Sequence, residues 1–396
     1  MNKPKIAVTK GKGPFENAKN ALQMLDLSSI KDKTVLIKPN LGRFTNAGNG
    51  INTHPQAIAG VIEALEEAGA KEIAIGESPI LGVKMPEVYQ RMKVDEIAEK
   101  YGVKLIDFDS IPPVKKEINN GRILESTLIC APVYEYDILL SLPVAKTHMH
   151  TGVTLGVKNM KGCLYRNEKV RYHQLSYRDG MSFPEKTLDT AISDLATLLL
   201  PDITVLDGYV GLQGLGPSGG DSIESNFALA SFDPIGADLV GCVLMGMNGR
   251  EIPHLRLAAN RLNCSLKLED YEIVPENFMD YKVIYETPPT DISIEYKDVV
   301  LHDKESCSAC LSTVMLFLKR YKEDMSQYVC EDGCLHLAIG KGIDGKELKK
   351  GTIFIGNCAK NTDDKGHLVY GCPPVPTRIF KEVTGDEPDK NEAEVE

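Results

Sequence analysis

The sequence predicts an α/β fold with a mostly parallel sheet and helices on both faces, followed by a small C-terminal cysteine-rich module. Short apolar segments alternate with helix-like segments over the first two thirds of the chain, and several apolar segments end in polar residues. Such alternation is typical of repeated βαβ units. The module is predicted because six of the ten cysteines fall between residues 307 and 372.

The first elements follow this alternation closely. KTVLIKPN (33–40) has the apolar run of a buried strand, and a helix is predicted to begin at Pro55 and end near Gly69. Proline suits the first turn of a helix, and glycine suits the position after its last residue. The next predicted elements are a strand at 71–79, a helix at 86–101 and a strand at 103–108.

The remaining elements continue the sheet after an interruption. Residues 110–136 have β character but break the alternation, and the apolar run DILLSLP (137–143) resumes it. The later predicted elements are a long loop at 151–183, a helix at 185–200, strands at 203–208 and 226–234, and a buried helix at 236–247.

The composition bounds the class of protein. The chain has 396 residues, a formal net charge of −11 and 42% hydrophobic residues, which together predict a globular protein of two or three domains. The negative charge disfavours nucleic acid as a partner. No apolar run reaches the roughly 18–20 residues that span a bilayer, and the N-terminus lacks the apolar core of a signal peptide. We therefore expect a cytoplasmic protein without a nucleic-acid or membrane partner.

Three segments are predicted along the chain. Residues 1–265 form an α/β substrate-binding domain, and residues 266–383 form a connecting segment with the cysteine-rich module, which begins near Leu301. Residues 384–396 are rich in Asp and Glu and are predicted to be a disordered acidic tail.

Polar side chains follow the predicted strands. Ligands of open parallel sheets bind beyond the carboxyl ends of the strands, so these residues are candidates for a site. Polar residues also begin ordinary loops, which explains any single strand end but explains two lysines and a histidine together less well. The strand-end residues are Lys38, Asn40, Glu77, Ser78, Lys146, His148, Asp207 and Asp233.

The segment SLPVAKTHMHTGVTLGVKNMKG (141–162) concentrates titratable groups after a strand. If it stays extended, His148 and His150 share one face, where they can divide acid and base work or bind a metal. The alternative is an exposed basic loop with ordinary histidines. The predicted catalytic residues are Lys146, His148 and His150. The predicted substrate-binding residues are Lys38, Asn40, Glu77, Ser78, Lys158, Asn159 and Lys161.

The stretch GLGPSG (214–219) matches the spacing G-x-G-x-x-G. A dinucleotide-binding fingerprint needs a helix to open at its end. Here the stretch contains Pro217 and continues into a predicted strand, so we interpret it as a glycine-rich loop over the same sheet edge.

The cysteines indicate metal or redox chemistry, because disulfides are rare in the cytosol. Cys307 and Cys310 form one C-x-x-C pair, whereas Cys358 and Cys372 are widely separated single residues. An iron–sulfur cluster accepts such spacing better than zinc, which is often bound by two C-x-x-C pairs. We therefore predict a [4Fe-4S] cluster bound by these four cysteines.

Other interpretations of the cysteines remain open. Cys330 and Cys334 are a reserve pair of ligands, and zinc or reduced cysteines without metal are the alternatives to the cluster. The scattered cysteines are interpreted as core residues, except that Cys163 adjoins the segment rich in lysine and histidine.

Three ordered motifs carry a family resemblance. VLIKPNLG, THPQAIAGVIEALEEAGAKEIAIGESP and LPVAKTHMHTGVTLGVKNMKG resemble the domain-of-unknown-function family 362, over roughly residues 5–245. Its members are common in anaerobes and are often described as iron–sulfur or ferredoxin-containing proteins. The resemblance therefore implies the fold and a cluster, but no settled reaction. The layout is also similar to that of lactate-racemase-like proteins, in which lysine and histidine serve a nickel cofactor.

Together these observations predict an iron–sulfur enzyme acting on a small anionic substrate. The cluster would transfer electrons with a redox partner protein or, if one iron lacks a cysteine ligand, act as a Lewis acid. Oxidoreductase and lyase or hydratase chemistry therefore both remain open, as does a homodimer. The alternative is a non-catalytic electron carrier or a metal- or cluster-handling accessory protein.

Overall fold

The computed structural model describes residues 3–80, 82–177, 184–288, 296–359 and 366–388. The chain divides into two compact units, Met1–Thr287 and Pro288–Glu396. The boundary differs from the one predicted after residue 265, because Glu272–Val274 pairs with a strand near the N-terminus and completes the first unit. Most of the predicted acidic tail, from residue 389 onward, lies outside the described residues.

The first unit contains most of the regular elements. Its strands are β1 (Lys5–Lys10), β2 (Thr34–Pro39), β3 (Glu72–Glu77), β4 (Lys104–Asp107), β5 (Pro113–Glu117), β6 (Ser126–Cys130), β7 (Ile138–Leu142), β8 (Val144–His148), β9 (Gly152–Thr154), β10 (Ile203–Gln213), β11 (Asp221–Ser231) and β12 (Glu272–Val274). Its helices are α1 (Pro14–Gln23), α2 (Pro55–Glu67), α3 (Met85–Arg91), α4 (Val94–Tyr101), α5 (Gly156–Asn159), α6 (Glu168–Gln174), α7 (Thr187–Ala196), α8 (Pro234–Leu244) and α9 (Pro253–Leu262).

The main sheet is mostly parallel, as predicted. Its order is β12-β1-β11-β10-β7-β2-β3-β4, and β8 pairs with both β10 and β9. The antiparallel pairings are those of β11 with β1 and β10, and that of β9 with β8. β5 and β6 form a separate antiparallel pair, which explains the predicted interruption at 110–136.

Helices cover both faces of this sheet, which confirms the predicted fold class. Along β2, Leu36 enters one apolar cluster, whereas Val35 and Ile37 enter another. Alternate residues of a strand point to opposite faces, so the two clusters lie on opposite sides. α7, α8 and α9 contribute to the first cluster, and α1 to α4 contribute to the second.

The helix predicted over 86–101 is two helices in the structure. α3 ends at Arg91 and α4 begins at Val94, with Lys93 between them at φ 56°. This left-handed conformation cannot continue a right-handed helix. The apolar spacing of three and four residues runs to Met92 and restarts at Val94, only two positions later, which is the sequence signal of the break.

The loop predicted over 151–183 is largely structured. It contains β9, α5 and α6, and residues 178–183 lie outside the described residues. The carboxylate of Asp238 accepts hydrogen bonds from the N–H groups of Gly156 and Val157, at 2.6 and 2.9 Å. This cap stabilises the start of α5, but it comes from a distant helix, so local sequence could not predict it.

The second unit has a small sheet of its own. Its elements are β13 (Val299–Asp303), α10 (Ser308–Tyr321), β14 (Leu335–Ile339), β15 (Ile353–Ile355), β16 (Leu368–Val369) and α11 (Pro376–Thr384). The sheet order is β13-β14-β15-β16, and every pairing is parallel. Across both units, no described helix combines the length and apolar character needed to cross a membrane.

Candidate functional site

A buried polar network joins the carboxyl ends of β2 and β3 to α5. The Lys38 ammonium donates to the Glu77 carboxylate at 2.6 Å, to Asn159 Oδ1 at 2.9 Å and to the carbonyl of Pro39 at 2.8 Å. Lys38 is fully buried and Glu77 is 1% exposed. An ammonium has three N–H donors, and all three are used here. Lys38 therefore positions Glu77 and Asn159 and has no donor left for a substrate.

The network continues to the predicted catalytic lysine. Asn40 Nδ2 donates to Asn159 Oδ1 at 3.1 Å, and the Lys146 ammonium donates to Asn40 Oδ1 at 2.7 Å and to the carbonyl of Ile51 at 2.8 Å. Burial holds the pKa of Lys146 well below its usual range, and the nearby charge of Lys158 lowers it further. Lys146 therefore loses its proton more readily than an exposed lysine.

The two predicted histidines lie at the end of β8. The strand ends at His148, and His150 follows in a turn, so the predicted extended arrangement stops short of His150. Their ring centroids are 5.7 Å apart, and the backbone N–H of His150 donates to His148 Nδ1 at 3.2 Å. Burial and the charge of Lys158 hold the pKa of His148 well below its usual range. Neutral His148 with Nδ1 as acceptor carries its proton on Nε2.

Lys158 is central to the electrostatics of this region. Burial lowers its pKa to about 8, and the charge of Asp189 opposes that shift. The Lys158 charge in turn lowers the pKa values of Lys161 and His173, on which burial has the larger effect. Lys161 Nζ and His173 Nε2 are hydrogen-bonded at 2.7 Å. Lys158 is partly exposed, and within the described ranges no protein hydrogen bond is found for its ammonium, so this cation is open to a ligand.

Ser78 belongs to a neighbouring network that sequence reasoning missed. Its hydroxyl donates to Asp109 Oδ1 at 2.7 Å and accepts a hydrogen bond from the Lys169 ammonium, which lies 3.5 Å from Asp109 Oδ2. Lys169 and His173 come from α6, inside the segment predicted as a loop. Their spacing of four residues, which places side chains on one helix face, is the signal that would have indicated them.

Two of the strand-end aspartates, Asp207 and Asp233, have structural roles, because their carboxylates accept hydrogen bonds from nearby backbone N–H groups. Asp207 accepts hydrogen bonds from the N–H groups of His54, at 2.7 Å, and Tyr209, at 3.1 Å. Burial raises the pKa of Asp207 to about 6, and these hydrogen bonds oppose the rise. Asp233 accepts from the N–H of Gly236 at 2.7 Å and caps α8. Both residues hold helices and backbone in place.

The glycine-rich stretch 214–219 connects β10 to the antiparallel strand β11 and opens no helix, which confirms that it is not a dinucleotide fingerprint. It lies against the end of β8, as predicted. Thr147 Oγ1 donates to the carbonyl of Gly214 at 2.9 Å, and the N–H of Met149 donates to the carbonyl of Gly216 at 3.1 Å.

The cysteines of the second unit lie at opposite edges of its small sheet. Cys307 follows β13, Cys358 follows β15 and Cys372 follows β16, while Cys310 lies in the first turn of α10. All four are therefore at the carboxyl edge of the parallel strands. The reserve pair, Cys330 and Cys334, precedes β14 and lies at the amino edge.

Backbone hydrogen bonds bring the carboxyl-edge loops together. The N–H of Gly356 donates to the carbonyl of Val369, and that of Asn357 to the carbonyl of Gly371, both at 2.9 Å. Gly356 has φ +100°, and a Cβ there would lie 3.1 Å from Cys310 Sγ. The loop that carries Cys358 therefore passes directly beside the Cys310 thiol.

The thiols at this edge also influence one another. A hydrogen bond with the Cys307 side chain and burial raise the pKa of Cys310, and the charges of Cys372 and Cys358 add to the rise. No group of three or more His, Cys, Asp or Glu side chains in the described parts of the chain is spaced to hold a single metal ion. In the first unit, burial raises the pKa of Cys163 to about 12, so this cysteine remains a thiol.

The fold and this site define an α/β protein with a buried lysine- and histidine-rich site at the carboxyl edge of a mostly parallel sheet. Residues 35–243, more than half of the chain, match the family described as "Domain of unknown function (DUF362)". The protein belongs to this family.

Several proteins are similar to this chain over part of its length. A thylakoid-associated protein of Synechocystis sp. is 29% identical over 226 residues, which are 55% of this chain and 65% of that protein. The chain thus spans just under two thirds of its relative's length. The lactate racemase apoprotein of Thermoanaerobacterium thermosaccharolyticum is 12% identical with a TM-score of 0.42, covering 61% of this chain and 57% of its own. A Thermotoga maritima protein is 15% identical with a TM-score of 0.35, covering 52% of each chain. Likenesses at these TM-scores establish neither a shared fold nor an activity.

Proposed function

We propose that the first unit binds a small anionic substrate at its lysine- and histidine-rich site and transfers a proton to or from it. The observation that carries this proposal is the partly buried Lys158 ammonium, for which the described residues offer no hydrogen-bond partner. A partly buried charge has lost some of its hydration, so an ionic partner stabilises it more than it would a fully exposed charge. A bound carboxylate, phosphate or similar anion would pair with Lys158 and stabilise the charged forms of the neighbouring basic groups.

The residues around Lys158 have distinct proposed roles. Lys158 and Lys161 bind the anionic group, while Lys146 and His148 form the proton-transferring pair. The lowered pKa of Lys146 favours a neutral amine that accepts a proton, and His148 presents the Nε2–H as a donor. Two groups with different proton affinities can divide base and acid roles. His150 positions the His148 ring through its backbone N–H.

We further propose that Cys307, Cys310, Cys358 and Cys372 bind a [4Fe-4S] cluster. Their placement at one sheet edge and the approach of Gly356 to Cys310 support this ligand set. Each iron of such a cluster takes its own thiolate, so the sulfurs need not surround one point as they do around a single ion. A bound cluster would supply electron transfer or Lewis-acid chemistry, which makes the proposed enzyme an oxidoreductase or a lyase.

Anion binding is expected to weaken as the pH rises through about 8, because Lys158 then loses its proton. Calorimetric titration with sulfate and with malonate, from pH about 6 to about 9, measures this dependence while the sulfate charge stays constant. Lys158→Met should weaken binding by about 10–100-fold below pH 8, the loss expected for a charged hydrogen bond. The control is Lys12→Met, which removes an exposed lysine of the same unit.

Wild-type and Lys12→Met proteins should bind alike. Equal affinities of the wild-type and Lys158→Met proteins would contradict the proposed site. Failure of both anions to bind the wild-type protein at any pH would instead favour the non-catalytic electron carrier.

Asp189→Asn is expected to move the midpoint of this pH profile to lower pH. The Asp189 carboxylate is 1% exposed and lies 3.5 Å from His254 Nδ1, and neither of its oxygens finds a hydrogen-bond partner among the described residues. Its charge supports the protonated form of Lys158, so removing that charge lowers the pKa of Lys158 below about 8. Asp202→Asn, which removes a carboxylate that accepts from the N–H of Leu139 in β7, should leave the midpoint unchanged. An unchanged pH midpoint in Asp189→Asn would show that the charge of Asp189 does not support the protonated form of Lys158.

A further inference from the structure

Cys330 and Cys334 lie at the two ends of a tight turn in the second unit. The N–H of Cys330 donates to the carbonyl of Cys334 at 2.8 Å, and the N–H of Gly333 donates to the carbonyl of Cys330 at 2.9 Å. Gly333 has φ +77°. This combination is the pattern of a three-residue hairpin loop that ends in a left-handed residue. The backbones of the two cysteines are therefore directly opposite each other.

This arrangement suits a disulfide. Cα atoms of a hydrogen-bonded antiparallel pair are about 5.5 Å apart, which is inside the range of about 4.4–6.8 Å that a disulfide bridges. The carboxylate of Asp332 fixes the hairpin, because it accepts from the N–H of Cys334 at 3.2 Å, lies 3.0 Å from His336 Nε2 and is ion-paired with Lys349. The backbones are thus close enough for a disulfide, which the Cys330 thiol reaches by leaving its hydrogen bonds with Thr352 and the N–H of His336.

The two thiols differ in access and in surroundings. Cys330 is buried, whereas Cys334 is partly exposed. Burial and the charge of Asp332 raise the pKa of Cys330. The Cys334 sulfur is therefore the one that reacts first with an external disulfide. Cys330 would then attack the resulting mixed disulfide.

Their place in the sheet separates them from the proposed cluster ligands. Cys330 and Cys334 lie before β14 at the amino edge, and the four carboxyl-edge cysteines follow or lie beyond the strands at the other edge. A role for the pair therefore does not depend on whether a cluster is bound.

We propose that Cys330 and Cys334 are a reversible dithiol–disulfide pair that exchanges with an external disulfide. The Cys334 thiolate attacks the external disulfide, forms a mixed disulfide and releases one thiolate. The Cys330 thiolate then attacks the Cys334 sulfur, closes the protein disulfide and releases the second thiolate. The protein pair gives up two electrons and two protons, and the external disulfide is reduced to two thiols; a dithiol reverses the reaction.

The test uses the full chain in anaerobic buffers of oxidised and reduced glutathione, followed by alkylation, trypsin and mass spectrometry. Cleavage after Lys322 and Lys341 yields a peptide, 323–341, that contains only these two cysteines. After the oxidising buffer, this peptide should be two hydrogen atoms lighter than its dithiol form and should carry no alkyl group. After the reducing buffer, it should carry two alkyl groups. The partly exposed Cys264 lies alone in peptide 262–267 and serves as the internal control, alkylated in both buffers.

The Cys334→Ser variant should show no internal link in this peptide under any buffer, and it keeps the buried Cys330 intact in case a change there disturbs folding. Full alkylation of peptide 323–341 in the most oxidising buffer would overturn the proposal. So would disulfides that join Cys330 or Cys334 to other cysteines instead of to each other.

Discussion

Replacing Lys38 with methionine is expected to lower the free energy of unfolding of the first unit by about 3–5 kcal/mol, the usual cost of breaking a buried ion pair from one side. The substitution keeps much of the side-chain volume but removes the three donors to Glu77, Asn159 and Pro39. Glu77, with a side chain 2% exposed, would then be a buried carboxylate without its cation. Urea unfolding followed by circular dichroism measures the loss.

Two further variants test the physical cause. Lys19 also contacts two carboxylates, those of Glu63 and Glu67, but at the surface. Solvent and salt screen such pairs, so Lys19→Met should cost far less than Lys38→Met. Adding Glu77→Gln to Lys38→Met should recover part of the loss, because the unpaired charge is gone. A loss in Lys38→Met no greater than that in Lys19→Met would show that Lys38 does not hold the network together.

The sheet and the general location of the site could be predicted from local patterns. Lys38, Glu77 and Lys146 each follow or end a short apolar run, and the carboxyl ends of parallel strands meet at one edge. The prediction therefore placed these residues at the edge of the sheet where the structure also has them. This prediction needed only the short apolar segments that form the strands and the helical connections that make neighbouring strands parallel.

The roles of individual residues could not be predicted in the same way. Whether a lysine faces a substrate or a carboxylate depends on which side chains meet it in space, and Lys38 meets Glu77 from 39 positions away along the chain. Lys146, by contrast, meets only neutral acceptors among the described residues, so its pKa falls with burial. The same residue type at the same sheet edge thus has two different environments.

The cysteines show the same limit. Their spacing separated one C-x-x-C pair from single residues, but it could not show which of the six in the second unit share an edge of the sheet. That information comes from the parallel order of β13 to β16, which places Cys330 and Cys334 away from Cys358 and Cys372. The structure thereby separates two sets of thiols by position, whereas the sequence only made one set the preferred cluster ligands and the other a reserve pair.

Cys310→Ser is expected to remove most of the iron and acid-labile sulfide from anaerobically purified protein. Cys310 is the most enclosed of the four proposed ligands, since it is hydrogen-bonded to Cys307 and lies against the loop at Gly356. A serine oxygen is a poor replacement for a thiolate, which iron–sulfur clusters require. Iron and sulfide analysis, with electron paramagnetic resonance of the dithionite-reduced sample, measures the loss.

Cys334→Ser is the matched control, because it makes the same change at the opposite edge of the same sheet and should leave iron and sulfide at the wild-type level. Circular dichroism of both variants checks that the second unit has folded. Equal loss of iron in both variants would mean that the ligand set includes the amino-edge pair. Anaerobically purified wild-type protein without iron or sulfide would refute the cluster itself, while leaving the anion site of the first unit and the dithiol pair to their own tests.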